Sequence, residues 1–279
     1  MNERISSLPV TDSMRSLLLI LLMITPCAAA ERVIHLFVAL ADNASQGIQR
    51  VPPKIGNGDD AENNLYWGCD DGVKSVFSRS KVWKRLAAAD PDGEGPILER
   101  LVFHNATADA WLVADAYRGK EIKTCLTDYL SAMAGTLKVD AAAGSRTVAA
   151  GGTADFVAYA GHDGLMEFPL ETPAAATDLK PKTAIALCCV SRTYFAGHME
   201  NLKATPLLLT TQLMYPAAQV LHESINGWLA GKDGKACLQL AAAAYAKNQK
   251  ISVKSAAGVF SAGLPEKKAE IGEGSQPGD

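Results

Sequence analysis

The chain has 279 residues, of which 48% are hydrophobic and 20% are charged, and this composition excludes a disordered or fibrous protein. Its formal net charge is −3, so it lacks the basic excess that a broad nucleic-acid interface requires. The longest apolar run, Leu17–Ile24, is far shorter than the roughly 20 residues that span a bilayer. We therefore expect no nucleic-acid partner and no membrane span.

The N-terminal segment has the pattern of a signal peptide. Arg15 precedes the apolar run, and the three alanines at 28–30 offer a cleavage site before Glu31. We therefore predict that residues 1–30 are removed and that the mature protein is exported, either to a periplasm or out of the cell. A lipid anchor on Cys27 is disfavoured because a proline directly precedes that cysteine.

The rest of the chain alternates apolar runs, which predict strands, with segments of helical periodicity. The predicted strands are Val33–Ala41, Ile97–Phe103, Trp111–Ala116, Ala154–Ala160, Thr183–Val190 and Pro206–Thr211. The predicted helices are Asp59–Leu86 with one interruption, Lys120–Met133, Ala217–Leu229 and Ala236–Ala246. Strands separated by helices predict an α/β fold of three layers, with a mostly parallel sheet between two layers of helices. We expect one such domain over residues 31–250, followed by a C-terminal extension at 251–279 whose end is disordered.

Cysteine and histidine spacing gives no indication of a metal site. Of the six cysteines, one leaves with the predicted signal peptide. The others are Cys69, Cys125, Cys188, Cys189 and Cys237. This odd number leaves at least one thiol unpaired in an oxidising compartment. Because the chain has neither a C-x-x-C pair nor H-E-x-x-H spacing, we expect no metal and no other cofactor.

Two neighbouring predicted strands end in residues that carry chemistry. The fourth strand continues into Gly161-His162-Asp163-Gly164, and the fifth contains Cys188 and Cys189 near its end. Reactive groups of an open parallel sheet lie at the carboxyl ends of its strands. If these strands are adjacent, a thiol nucleophile, an imidazole base and loop amides meet at one edge. The simpler alternative is that both cysteines are buried structural thiols.

These strand ends resemble those of the caspase-like cysteine peptidases, which include legumains, caspases, gingipains and CHAT domains. The stretch Cys189-Val190-Ser191-Arg192-Thr193-Tyr194-Phe195 is similar to the legumain-type Cys-Glu-Ser-Gly-Ser-Met-Phe, with Cys, Ser and Phe in common. The resemblance implies a caspase-like three-layer sandwich and the hydrolysis of peptide bonds in a peptide or protein substrate. It makes Cys189 the nucleophile and His162 the general base and acid, and it places Cys188 where the family has a small residue.

The chain departs from the family pattern at two positions. Asp163 stands between His162 and Gly164, where the family has glycine directly after the histidine. The resemblance implies an oxyanion hole built from the backbone amides of Asp163, Gly164 and Cys189, but the Asp163 carboxylate could raise the pKa of His162 or repel the oxyanion. Arg192 replaces a glycine and is a candidate for binding an acidic substrate group, unless it is only a solvated loop residue.

Three functions remain open at this point. The chain is an exported caspase-like peptidase, a caspase-like binding module without activity, or a doubly wound protein that binds a small ligand at its strand ends. The intervening Asp163 favours the second, and the lack of a Gly-rich phosphate loop after the first strand disfavours the third. Because side chains alternate along a strand, we predict that Cys188 is buried and that Cys189 faces the cleft.

Overall fold

The computed structural model describes residues 31–86 and 94–264. The predicted signal peptide and the last part of the predicted extension lie outside the described residues. The strands are β1 (Arg32–Ala39), β2 (Lys84–Leu86), β3 (Ile97–Asn105), β4 (Ala110–Tyr117), β5 (Lys138–Ala143), β6 (Arg146–Gly151), β7 (Phe156–Ala160), β8 (Thr183–Leu187), β9 (Thr205–Thr210) and β10 (Phe260–Ser261). The α-helices are α1 (Val73–Ser78), α2 (Ile122–Met133), α3 (Ser191–Asn201), α4 (Ala218–Leu229), α5 (Gly234–Gln249) and α6 (Val253–Ala257).

Eight of these strands form one mixed sheet in the order β10-β9-β8-β7-β1-β4-β3-β2. The five strands from β9 to β4 in this order run parallel. The outer strands β10, β3 and β2 are antiparallel to their neighbours, and β5 and β6 form a separate hairpin. Parallel strands require crossover connections, and helices supply most of them.

Both faces of the sheet are covered, as the continuous apolar character of the central strands requires. Alternate residues of β7 and β8 pack on one side in a cluster with residues of α1, α4 and α5. The intervening residues pack on the other side with α2 and α3. The predicted three-layer α/β sandwich is therefore confirmed.

The segment predicted as a helix over Asp59–Leu86 is wrong for most of its length. It consists of turns, then the short helix α1, then the edge strand β2. Asn64 is buried, and its side-chain amide bonds both the N–H and the C=O of Ala41, so it holds this segment against the end of β1. A Cβ at Gly68 would stand 2.0 Å from the Glu62 carbonyl oxygen, a turn too tight for any other residue.

Two further differences concern the neighbourhood of the cysteines. β8 ends at Leu187, so Cys188 and Cys189 lie in the turn after the strand and not within it. The helix α3 begins directly after this turn and includes Arg192, so that residue does not lie in a loop. Within the predicted C-terminal extension, α6 and β10 are ordered, and β10 pairs with β9 at the edge of the sheet.

Candidate functional site

The predicted site residues follow two adjacent parallel strands. β7 and β8 pair up to Ala160 opposite Leu187, and His162 and Cys189 each come two residues after that last pair. The two chains stay together beyond it, because Gly161 N–H donates to Leu187 O at 3.4 Å. Neighbouring strands are about 4.8 Å apart. The predicted placement of both residues at one edge of the sheet is confirmed.

The turn that carries Cys189 has a strained backbone. Val190 has φ 52° and ψ 28°, the left-handed region that a β-branched residue rarely adopts. Such conformations persist only where the surroundings enforce them, and they are concentrated at functional sites. The sequence strand–strained turn–helix holds Cys189 at the edge of the sheet.

Two buried hydroxyl groups enforce this turn. Ser191 N–H donates to Thr210 Oγ1 and Thr210 N–H donates to Ser191 Oγ, each at 2.9 Å. The Ser191 hydroxyl donates to Ala186 O at 2.7 Å, and the Thr210 hydroxyl donates to Cys188 O. The serine belongs to the motif shared with the legumain type. Sequence reasoning missed Thr210, because only the folded sheet brings β9 against this turn.

The two thiols have different environments, although the alternation used to predict this does not apply, because both lie in the turn after β8. Cys188 is fully buried in the cluster beneath α3, whereas Cys189 is half-buried and its thiol donates to Met214 O at 3.5 Å. Burial raises the pKa of Cys188 well above its usual range and also raises the pKa of Cys189. Since the thiolate is the nucleophile, Cys189 needs a base to remove its proton at neutral pH.

His162 is held by a carboxylate that sequence reasoning missed. Its Nε2 lies 2.6 Å from Glu167 Oε1, which also accepts the Gly47 N–H at 2.5 Å. Nε2 therefore carries the proton in this pair, and Nδ1 is the ring nitrogen that remains to act as a base. The residue is only 8% exposed. The sole sequence signal for Glu167 is an acid five residues after the histidine.

Two of the three predicted oxyanion donors make no hydrogen bond to another described residue. These are the backbone N–H groups of Asp163 and Cys189, which come from the two facing turns. The third, Gly164 N–H, donates to His162 O at 3.1 Å and is already used. A pair of unused amides at the carboxyl ends of two strands is an arrangement that can receive a developing negative charge.

The Asp163 side chain turns into the protein. Its carboxyl is fully buried, Oδ1 accepts Leu165 N–H at 3.1 Å, and Oδ2 has no hydrogen-bond partner among the described residues. Burial raises the pKa of Asp163 to about 7, and the carboxyl interacts with the Cys188 thiol. The question left open by the sequence is thus answered in part, because this carboxyl does not lie exposed in the cleft. When ionised, it raises the pKa of Cys189.

The surroundings of the two turns offer a cation and apolar surface. Arg192 in the first turn of α3 is half-buried and makes no hydrogen bond or ion pair to another described residue. Met166, after β7, and Leu213, after β9, are 44% and 72% exposed. Met166 and Leu213 follow strands that end at the same edge of the sheet as β8.

Comparisons with protein-family models, with curated proteins and with solved structures found no match to this chain. Over residues 31–86 and 94–264, no helix is long and apolar enough to cross a membrane. In the same part of the chain, no three His, Cys, Asp or Glu side chains are grouped so that they could hold a metal ion, and the five cysteines are free thiols.

Proposed function

We propose that this chain is a caspase-like cysteine peptidase in which Cys189 is the nucleophile and His162 the general base and acid. The observation that carries the proposal is the parallel pairing of β7 with β8. Both residues come two positions after the last pair in register, Ala160 opposite Leu187. The strained, hydroxyl-braced turn at Val190 and the carboxylate on His162 Nε2 support it. The proposed substrate is a peptide or a protein.

The reaction follows from these groups. His162 Nδ1 takes the thiol proton of Cys189, and the sulfur attacks the carbonyl carbon of the scissile bond. The amides of Asp163 and Cys189 bind the oxyanion, and Glu167 stabilises the imidazolium. The imidazolium then gives its proton to the leaving amine, so that a thioester forms and the peptide bond breaks. Water, deprotonated by the same histidine, hydrolyses the thioester and restores the thiol.

Proton transfer to the histidine is required because the raised pKa of Cys189 excludes a preformed thiolate at neutral pH. The hydrogen bond between the thiol and the imidazole need not exist before substrate binds, since such bonds are often long in resting sites. Arg192, with no partner among the described residues, is proposed to contact an acidic group of the substrate.

A second function is a binding module of the same fold without activity. The 8% exposure of His162 and the raised pKa of Cys189 favour it, because both slow nucleophilic attack. In this second function a peptide would bind at the same edge of the sheet, at the carboxyl ends of β7 and β8, but it would not be cleaved.

Turnover of a fluorogenic peptide library separates the two functions. The wild-type protein should cleave part of the library, and Cys189→Ala should be inactive while its unfolding free energy stays within about 1 kcal/mol of wild type, the range of substitutions outside the core. Cys69→Ala is the matched control, because Cys69 is also a half-buried thiol with a backbone carbonyl partner, and it should retain activity. A wild-type protein that cleaves nothing, or a Cys189→Ala protein that still cleaves, contradicts the peptidase.

We also propose that the protein is exported after cleavage before Glu31. The proposal is based on the N-terminal segment, in which a basic residue, an apolar run and small residues follow one another as in a signal peptide. Intact-mass analysis of protein from the native host should give a chain that begins at Glu31. A cytoplasmic protein with its first 30 residues intact contradicts the proposal.

A further inference from the structure

A serine, a histidine and a glutamate form a hydrogen-bonded chain on the side of the sheet that α1 and α4 cover. Ser80 lies in the turn after α1, and His222 and Glu223 lie in α4. Ser80 Oγ is 2.8 Å from His222 Nε2, and His222 Nδ1 is 2.9 Å from Glu223 Oε1. A hydroxyl, an imidazole and a carboxylate linked in this order are the three groups of a serine-hydrolase triad. None of these residues belongs to the site proposed at Cys189.

The partners of this chain fix the positions of its two protons. Ser80 Oγ accepts the N–H groups of Val82 and Trp83, each at 3.3 Å, and because both partners are donors, the hydroxyl proton is directed to His222. The Glu223 carboxylate only accepts, so His222 Nδ1 carries the ring proton and Nε2 accepts. Two separate constraints therefore give the same tautomer, in which the imidazole is a base toward Ser80.

Neighbouring side chains hold the imidazole in this orientation. The Phe77 ring packs edge to face against it, with 5.4 Å between the centroids. Asn226 Oδ1 accepts Trp83 Nε1–H at 3.0 Å, and Asn226 Nδ2 lies 3.3 and 3.4 Å from the two ring nitrogens of His222. The hydrogen bond from His222 lowers the pKa of Glu223, so this carboxylate is ionised at neutral pH. It can therefore stabilise the imidazolium that forms when Nε2 takes a proton.

The turn that carries Ser80 lies at the surface. Ser80 is half-buried, and its neighbours Arg79 and Val82 are exposed. The two amide bonds to Ser80 Oγ are longer than the usual range of about 2.7–3.2 Å and are weak. When Oγ binds an acyl carbon it becomes a poorer acceptor, so the amides of Val82 and Trp83 can turn to the oxyanion that develops beside it.

We propose that Ser80, His222 and Glu223 form a second active site, which hydrolyses carboxylic esters that have a small acyl group. A small acyl group fits a surface turn whose exposed apolar side chain is that of Val82. The proposal goes beyond the peptidase function and shares no residue with it.

The reaction uses the three side chains in the order of their hydrogen bonds. Ser80 Oγ attacks the carbonyl carbon of the ester while His222 Nε2 takes the hydroxyl proton. The bond from this carbon to the alcohol oxygen breaks, the alcohol leaves with the proton from His222, and Ser80 is acylated. Water, deprotonated by His222, then hydrolyses the acyl-serine to a carboxylic acid and restores the hydroxyl. Glu223 stays ionised throughout.

Covalent labelling of the full-length Cys189→Ala protein tests this site without the thiol proposed as the peptidase nucleophile. After treatment with an alkyl fluorophosphonate, digestion and mapping by mass spectrometry, Ser80 should carry the phosphonyl group. His222→Gln leaves Ser80 and its two amide partners in place, and it should slow the labelling at least about 100-fold, the lower end of the range for loss of a general base. Ser78→Ala is the matched control, because Ser78 is an exposed serine two residues away, and it should leave the rate unchanged.

Hydrolysis of p-nitrophenyl acetate by the same proteins measures turnover. Ser80→Ala should remove the serine-dependent hydrolysis, and His222→Gln should lower it by the same factor as the labelling. The mapping and the His222 variant keep the test valid if Ser80→Ala does not fold. Labelling of another residue in place of Ser80, no labelling, or equal rates with and without His222 would overturn the inference.

The two proposed activities fail separately. Labelling of Ser80 in a protein whose wild type cleaves no peptide refutes the peptidase alone and supports the esterase site. Peptide cleavage by a wild-type protein in which Ser80 is never labelled refutes the esterase site alone, and Ser80 then only holds the turn after α1.

Discussion

The polar groups at the two ends of β7 and β8 differ in how completely they are hydrogen-bonded. At the amino ends of β7 and β8, the buried Lys182 donates to Gly152 O and Ala154 O at 2.6 and 2.7 Å. Asp155 next to it accepts the N–H of Val33 at 2.9 Å. At the carboxyl ends, two amides and Asp163 Oδ2 have no hydrogen-bond partner among the described residues, and Val190 has a strained backbone.

Under the proposed function, this difference assigns stability to the amino ends of the strands and chemistry to their carboxyl ends. Native proteins satisfy nearly all buried polar groups, and the exceptions are concentrated where a ligand or a reaction completes them. The amino ends of β7 and β8 follow the rule, and their carboxyl ends break it within a few residues of Cys189. Substitutions at the two ends should therefore have separable effects on stability and on turnover.

Replacement of the base should have the largest effect. His162→Ala should lower kcat of peptide cleavage by about 10²- to 10⁴-fold, the range for a general base, and should leave slow alkylation of Cys189. Steady-state kinetics with a cleaved library peptide measures it. Unchanged kcat would remove the histidine from the mechanism.

Replacement of the carboxylate behind the base should have a smaller effect. Glu167→Gln keeps the shape of the side chain but loses the charge that stabilises the imidazolium, a hydrogen bond worth about 1.5–3 kcal/mol, so kcat should fall about 10- to 100-fold. Steady-state kinetics with the same peptide measures the change, and full activity would show that Glu167 only closes a loop.

At the opposite end of the strands, Lys182→Met should lower the unfolding free energy by about 2–3 kcal/mol, because two buried carbonyl groups lose their donor. Alkylation of Cys189 should keep its wild-type rate. Denaturant unfolding and alkylation of the same preparation give both values. A loss of alkylation at constant stability would reverse the contrast between the two ends.

The effect of Asp163→Asn on stability should depend on pH. Burial raises the pKa of Asp163 to about 7, above its unfolded value of about 3.9, so the folded wild type retains a proton that the unfolded chain releases. The wild type therefore loses stability relative to Asp163→Asn as pH rises from about 4 to about 7, by at most about 1.4 kcal/mol per pH unit, and the difference is constant above that window.

The same substitution removes a charge that raises the pKa of Cys189, so the midpoint of its alkylation profile should move to lower pH. Urea titrations at pH 4.5 and 7.5 and alkylation rates across pH measure the two effects. Parallel stability curves for the two proteins would show that Asp163 is ionised and solvated.

The predictable parts of the molecule are those with a local signal. Continuous apolar runs gave β1, β4, β7 and β9 within two residues, and the two motifs gave the positions of His162 and Cys189. The failures have long-range causes. Asn64 turns a helical pattern into turns through its bonds to Ala41, and Thr210 and Gly47 reach the site from distant segments. No spacing in the sequence encodes such contacts.

The most direct test of the account is the identity of the thiol that reacts first. Native protein treated with a limiting amount of a peptide-based, cysteine-directed electrophile would be digested and mapped by mass spectrometry. The account predicts that Cys189 is modified first, that Cys188 and Cys69 follow much more slowly, and that His162→Ala slows only the modification of Cys189. Modification of Cys188 before Cys189, or equal rates with and without His162, would contradict a nucleophile–base pair at the ends of β7 and β8.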